Sequence, residues 1–271
     1  MFEGDEVIIG EGPVRLTFGE GIANIQLNRP DAANGFNIEL MKALQDAIMK
    51  VHGDARVRAV ILSGNGKIFC GGGDVKEFAA KGSDLPNFLR MATSYLQVCV
   101  SGLVNLDAPV IAKVQGFATG GAGMGLVCCS DIVICGASAK IMAGATRVGM
   151  APDGGATAML SRIVGFRRAM EIVLTNRFIE ADEAERIGLV TKVVPDEELD
   201  EAVLKMARTL AAGAPKSQAA TKRLMWQGAG RGFEASLSDE AREVSTLSGT
   251  ADSLEGLNAV IERRKPKFTG N

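Results

Sequence analysis

Glycines that follow a short apolar run and open a helix are the residues of this chain best suited to chemistry. In Ala108–Ser130, read APVIAKVQGFATGGAGMGLVCCS, the residues Val110, Ile111, Ala112 and Val114 describe a buried strand that Gly116 breaks. Gly120, Gly121, Gly123 and Gly125 then lead into apolar Leu126 and Val127. A strand that ends in glycines and enters a helix leaves backbone N–H groups without acceptors, at the positive end of the helix dipole. Such a place suits an oxyanion or a phosphate, and it equally suits a tight strand–helix packing junction. A second junction, Ile68-Phe-Cys-Gly-Gly-Gly-Asp-Val-Lys-Glu77, spaces Asp74 and Glu77 as a capping box, so Asp74 reads as the cap of a helix starting there.

Other chemistries find little support. Gly121-Ala-Gly123-Met-Gly125 has the wrong spacing for dinucleotide binding, and Gly64-Asn-Gly66-Lys67 lacks the first glycine and the hydroxyl residue of a phosphate loop. His52 is the only histidine, so neither a His-based triad nor a multi-His metal site is expected. The five cysteines, Cys70, Cys99, Cys128, Cys129 and Cys135, form no C-x-x-C pair. Their odd number and apolar neighbours point to reduced, buried thiols and a cytoplasmic location. No signal peptide or membrane span is visible. A net charge of −2 over 271 residues recruits neither nucleic acid nor anionic lipid, so neither is an expected partner. Arg263-Arg264-Lys265 and Lys222-Arg223 read as solvated helix faces.

The elements that must carry these junctions follow from periodicity. Residues 1–10 read as an extra strand or a loose arm. Val14, Leu16 and Phe18, then Ala23, Ile25 and Leu27, alternate around Gly19–Gly21 as a hairpin. Asn37 can cap a helix reaching Val51, with Leu40, Leu44, Ala47 and Ile48 on one face. Ala59–Leu62 is a strand, and Pro86 suits the first turn of a helix running to about Leu106. Asp131–Cys135 and Leu189–Val194 read as strands. Thr157–Val164, Phe166–Leu174 and Asp182–Ile187 read as helices. After Pro195 only helices follow: one capped by Asp196, one from Pro215, one from Phe233, and a last one opened by a second capping box, Asp252–Glu255. Strands with helices first and helices alone afterwards fit an α/β core over 1–195 with a helical region over 196–271.

Taken together, several of these segments resemble the enoyl-CoA hydratase/isomerase, or crotonase, family. They are Ile25-Gln-Leu-Asn-Arg-Pro30, Ile68–Glu77, Pro109-Val-Ile-Ala-Lys-Val-Gln-Gly116 with its glycines, Glu183-Ala-Glu-Arg-Ile-Gly-Leu-Val190, and Glu262-Arg-Arg-Lys-Pro-Lys-Phe268. The resemblance covers roughly Val14 to Gly270. It implies a spiral of ββα turns whose C-terminal helices associate in trimers or pairs of trimers, and an acyl-CoA substrate. It also implies that the N–H groups of Gly73 and Gly121 hold the thioester oxygen, and that alanine at Gly73, which keeps the N–H, is mild. The CoA adenine end is expected between the Ala32, Ala33 and Phe36 segment and Gly71, Gly72, Gly73, Asp74 and Val75. No cofactor is implied, since coenzyme A arrives with the substrate.

The departures from the family pattern bear on the reaction. Two glutamates activate water in the family's hydratases, and their positions align with Met124 and Ala145 here, neither of which exchanges a proton. Met124 is expected in the acyl pocket or, alternatively, in the core. Asp31 replaces the basic residue that often follows Arg-Pro. Asp153, in Ala151-Pro-Asp-Gly-Gly155, occupies a position where double-bond isomerases of the family carry Asp or Glu, although Pro-Asp-Gly is also ordinary turn chemistry. The favoured expectation is an enoyl-CoA isomerase with Asp153 as proton shuttle. The alternatives are a hydratase, a decarboxylase, hydrolase or C–C lyase, and a non-catalytic acyl-CoA-binding or RNA-binding protein.

Overall fold

The computed structural model describes residues 5–271. Of the strand or arm expected over residues 1–10, residues 1–4 lie outside the described residues. Strand β1 (Glu6–Ile9) pairs antiparallel with β2 (Val14–Gly19), which forms the expected hairpin with β3 (Ile22–Leu27). Helix α1 (Ile38–His52) begins where Asn37 accepts the Leu40 N–H at 2.9 Å, and it buries Leu40, Leu44, Ala47, Ile48 and Val51 along one face. Strand β4 (Ala59–Gly64), helix α2 (Val75–Ala80) and helix α3 (Leu85–Val104) follow. Asp74 caps α2 as its spacing predicts, accepting the Glu77 N–H at 3.2 Å.

From this point the chain repeats two strands and a helix. The first unit is β5 (Val110–Val114), β6 (Phe117–Thr119) and α4 (Gly120–Cys129), and the second is β7 (Ile132–Gly136), β8 (Lys140–Met142) and α5 (Ala156–Val164). Helix α6 (Phe166–Thr175), β9 (Ile179–Glu180), α7 (Ala181–Arg186) and β10 (Lys192–Val194) complete the spiral. The first strand of each unit joins a seven-stranded sheet of order β1-β2-β3-β4-β5-β7-β10, and the second joins a small sheet of order β6-β8-β9. The architecture is therefore the expected α/β spiral of ββα turns.

The large sheet is parallel from β3 through β10 and is covered on both faces. Val60, Leu62, Val110 and Ala112 face the core that contains α1, α3 and α4. Ala59, Ile61, Ile111 and Ile134 face a second cluster with Leu199, Val203 and Ala207 of α8 (Leu199–Ala211). Helix α9 (Pro215–Gly228) is tied to the core by Lys222, whose Nζ lies 2.8 Å from Asp131 Oδ2 and donates to the carbonyls of Leu103 and Ala108. Trp226 Nε1 donates to the other Asp131 oxygen at 2.7 Å. Lys222 is thus a buried anchor rather than part of a solvated face. Helices α10 (Phe233–Ser248) and α11 (Ala251–Glu262) leave Phe233, Val244, Val260 and Ile261 70–78% exposed.

Several boundaries differ from expectation. Strands β6, β8 and β9 are too short for a two-residue period to show, and the sequence reading missed them. The strand expected over Leu189–Val194 shrinks to β10. Asp196 starts a 3-10 turn, and its carboxylate accepts the Ser138 N–H instead of capping α8. Thr250, two residues before the expected Asp252, caps α11 by accepting from Ser253 N. The Asp252 carboxylate is buried and accepts the N–H groups of Thr269 and Gly270, which pins the chain end to α11.

Candidate active site

The two glycine junctions meet. Cys70 and Ala118 form a parallel bridge in which Cys70 N donates to Phe117 O at 3.0 Å and Thr119 N to Cys70 O at 2.8 Å. The Thr119 hydroxyl adds a bond to Gly71 O at 3.0 Å. One residue further on, Gly72 and Gly120 lie back to back, both with positive φ, +94° and +70°. A β-carbon on Gly72 would sit 2.8 Å from Thr119 O, and one on Gly120 would sit 2.9 Å from Gly72 Cα, so only glycine fits either position. This close approach sets Gly73 and Gly121 beside one another in the wall of a cavity of 510 Å³. Among the described residues, no acceptor takes the N–H of Gly73 or of Gly121.

Asp153 lies against the same place. A β-carbon on Gly121 would collide with Asp153 Oδ1 and lie 3.0 Å from its Cγ. The Pro-Asp-Gly turn is real too, since Asp153 O accepts the Ala156 N–H at 3.1 Å. Burial pushes the Asp153 carboxyl above its ordinary range, and a bond from its own backbone N–H tempers the rise. Among the described residues that wall the cavity, Asp153 and Arg147 are the only ionisable ones. Apolar side chains supply most of the rest, from Phe36, Met41, Phe78, Leu85, Leu89 and Leu96 on the early elements to Met142, Val148 and Met150 on the later loop.

The two segments expected around the CoA adenine end also meet. Gly71 N donates to Ala33 O at 2.8 Å, Phe36 N to Gly72 O at 2.7 Å, and Asp74 N to Phe36 O at 3.0 Å. Phe36, Gly71, Gly73 and Val75 line the cavity, while Ala32, Ala33, Gly72 and Asp74 stand outside its wall. Two residues that the sequence reading passed over hold this corner. Asn34 is fully buried and its Nδ2 donates to the carbonyls of Asn65, Ile68 and Phe69. Arg29 donates to Gly35 O and, at 3.0 Å, to Asp74 Oδ2. Burial works against the Asp74 charge, but the Glu77 N–H and Arg29 hold its carboxyl below the usual value. In sequence Arg29 counted only as part of the Ile25–Pro30 segment that carries the resemblance, with no role of its own.

Met124 is fully buried in the core and takes no part in the cavity wall, so its place is packing and not the acyl pocket. Ala145 does line the cavity, where its methyl group offers no proton. Burial pushes the thiols of Cys70, Cys99, Cys128 and Cys135 up to about 12, so they stay protonated at neutral pH. Among the described residues no helix is long and apolar enough to cross a membrane.

A parallel-sheet ββα spiral with paired glycine loops at one cavity defines a fold class, and comparison with known proteins gives the family. The enoyl-CoA hydratase/isomerase family matches residues 17–271, and the chain belongs to that family. A protein of Rhodobacter capsulatus named a probable enoyl-CoA hydratase is 37% identical over 257 residues, covering 95% of this chain and 98% of its own. A trans-2-decenoyl-[acyl-carrier-protein] isomerase of Streptococcus mutans is 31% identical over 92% of this chain and 95% of its own. The crystal structure of an enoyl-CoA hydratase from Bacillus anthracis superposes with a TM-score of 0.90 at 31% identity, over 96% of this chain and all of that one.

Proposed function

We propose that the protein is an enoyl-CoA double-bond isomerase. The observation that carries this reading is the single carboxyl, Asp153, in an otherwise largely apolar cavity wall beside two N–H groups without acceptors. The thioester oxygen sits between the N–H groups of Gly73 and Gly121. Donors placed this way stabilise an enolate, and losing one costs about 3 kcal/mol of transition-state stabilisation in comparable sites. The Asp153 carboxylate takes a proton from Cα of a 3-enoyl thioester or Cγ of a 2-enoyl thioester. The electron pair of the broken C–H bond delocalises onto the thioester oxygen, giving a dienolate. Protonated Asp153 then returns the proton at the other end, which moves the double bond and regenerates the carboxylate. One group suffices for this shuttle, and its raised pKa makes the carboxylate a stronger base for the first step.

Binding of the CoA adenine end between Ala32–Phe36 and Gly71–Val75 belongs to the same proposal, as does assembly of the exposed α10 and α11 faces into trimers or pairs of trimers. A second reading is hydration, favoured by the name of the Rhodobacter relative. Against it stand Met124, sealed in the core, and Ala145, since water addition by the family's route uses two acid–base groups. The test is to incubate the protein with 3-enoyl-CoA and with trans-2-enoyl-CoA and read the products by NMR. Interconversion of the two supports isomerisation, and rapid accumulation of 3-hydroxyacyl-CoA supports hydration.

A further inference from the structure

The missing side chain of Gly73 is filled by another residue. A β-carbon at Gly73 would lie 2.5 Å from Phe78 Cζ and 2.6 Å from its Cε2. The tip of the Phe78 ring therefore rests in the space that any larger residue at position 73 would occupy. Phe78 lines the cavity; the buried Phe88, absent from the cavity wall, packs edge-on with Phe78 at 6.1 Å between centroids. Phe88 is itself held under Lys81, whose Nζ lies 4.3 Å from the ring centroid. The Phe78 ring thus has a firm neighbour in Phe88 and an open cavity beside it.

We infer that Gly73 and Phe78 act as one device that sets the size of the acyl group accepted, with Phe78 as the specificity-determining side chain and Gly73 as the room that lets it stand clear. This rests on the reading of the cavity as an acyl-CoA site, and not on which reaction occurs there. A residue with a β-carbon at position 73 displaces the ring tip by about 1 Å to restore ordinary contact distance, and with Phe88 packed on one side of Phe78 the ring moves into the cavity. Space is lost near the thioester, where every acyl chain must pass. The walls beyond it, Leu85, Leu89 and Leu96, are aliphatic, so the group admitted is apolar and uncharged. The expectation that alanine at Gly73 is mild accordingly fails for long acyl groups, even though the N–H is kept.

The test measures dissociation constants of acetyl-CoA and octanoyl-CoA, neither of which has a double bond to move, by isothermal titration calorimetry. Wild type, Gly73→Ala, Phe78→Ala and the double variant are compared. In Gly73→Ala the octanoyl-to-acetyl ratio of dissociation constants rises about tenfold, the lower scale for a methylene-sized change in an apolar pocket. In the double variant, with no ring to displace, the ratio returns to within about twofold of that in Phe78→Ala alone, again on the scale of a single apolar contact. An unchanged ratio in Gly73→Ala, or no return in the double variant, overturns the inference while leaving the acyl-CoA site intact. Wild type that binds neither thioester overturns both.

Discussion

The Asp153 carboxyl packs against the α-carbon of Gly121, so closely that a β-carbon there would collide with Oδ1. The residue proposed to hold the substrate oxygen therefore also fixes the position of the proposed proton carrier. Gly121→Ala keeps the N–H but displaces the carboxyl by an ångström or more. A misplacement of that size costs on the order of 10²-fold in rate. The expected outcome is a loss of that order in kcat/KM for isomerisation, with an unchanged far-ultraviolet circular dichroism spectrum. A fully active Gly121→Ala protein contradicts the arrangement.

The elevated Asp153 pKa has a sign that can be checked on activity. The carboxyl must be ionised to take a proton, so kcat/KM rises with pH as the group loses its own. Burial raises the pKa, so the rise falls above the free-carboxyl value of about 3.9. The pH–rate profile checks this, and the acidic limb should vanish from the residual activity of Asp153→Asn.

The same shift acts on stability in the opposite sense. A carboxyl whose folded pKa exceeds its unfolded one contributes stability that is fully present below the unfolded pKa and is lost as pH rises through the folded pKa. Asp153→Asn removes that loss. Its Tm advantage over wild type should grow across that window and then level off at neutral pH, as read by thermal melts at a series of pH values.

Much of this arrangement is legible in the sequence, for physical reasons that differ by residue. Asn37 and Asp74 announce their caps because capping depends on residues only three apart. Gly73 and Gly121 stand out because glycines between an apolar strand and a helix leave backbone N–H groups without acceptors, although a packing junction reads the same way in sequence. What places them together is longer in range: the Gly72–Gly120 contact joins residues 48 positions apart in the sequence, and no local pattern encodes it. Asn34 and Arg29 escaped notice because their partners are backbone carbonyls and a carboxylate brought near by folding. Asp252 looked like a cap and instead binds the chain end, because a buried carboxylate takes the donors that tertiary structure supplies. Met124 falls where the resemblance implies a residue used for chemistry, yet its apolar side chain is buried in the core.

The buried Lys222 should matter for stability out of proportion to its single charge. Burial lowers its pKa, and Asp131 opposes the shift. Lys222→Met leaves the Asp131 charge with the Val110 N–H and Trp226 Nε1–H as its remaining hydrogen-bond donors. Breaking a buried pair costs about 3–5 kcal/mol, and these two donors place the loss near the lower end. Urea denaturation checks the value, and a change below about 1 kcal/mol, the scale of an exposed pair, contradicts the anchoring role.

The apolar face of α10 and α11 leads to a prediction about assembly. Phe233, Val244, Val260 and Ile261 are more exposed than large apolar side chains of a solitary chain usually are in such number. Sedimentation velocity should show a trimer or a pair of trimers at micromolar concentration, and a monomer contradicts it.

The most direct test of the proton shuttle follows the proton itself. A 3-enoyl-CoA substrate is incubated in deuterated water with wild type and with Asp153→Asn, and the α and γ positions are followed by NMR. Asn is close in size to Asp and suits the same Pro-x-Gly turn, so fold and acyl-CoA binding should persist. Wild type should move the double bond and introduce deuterium at the α and γ carbons, with little 3-hydroxyacyl product. Asp153→Asn should abolish the exchange and lower isomerisation by about 10²-fold or more, the scale of a lost general base. Rapid hydration by wild type, or full exchange and turnover by Asp153→Asn, would contradict the account and return Asp153 to the role of a turn residue.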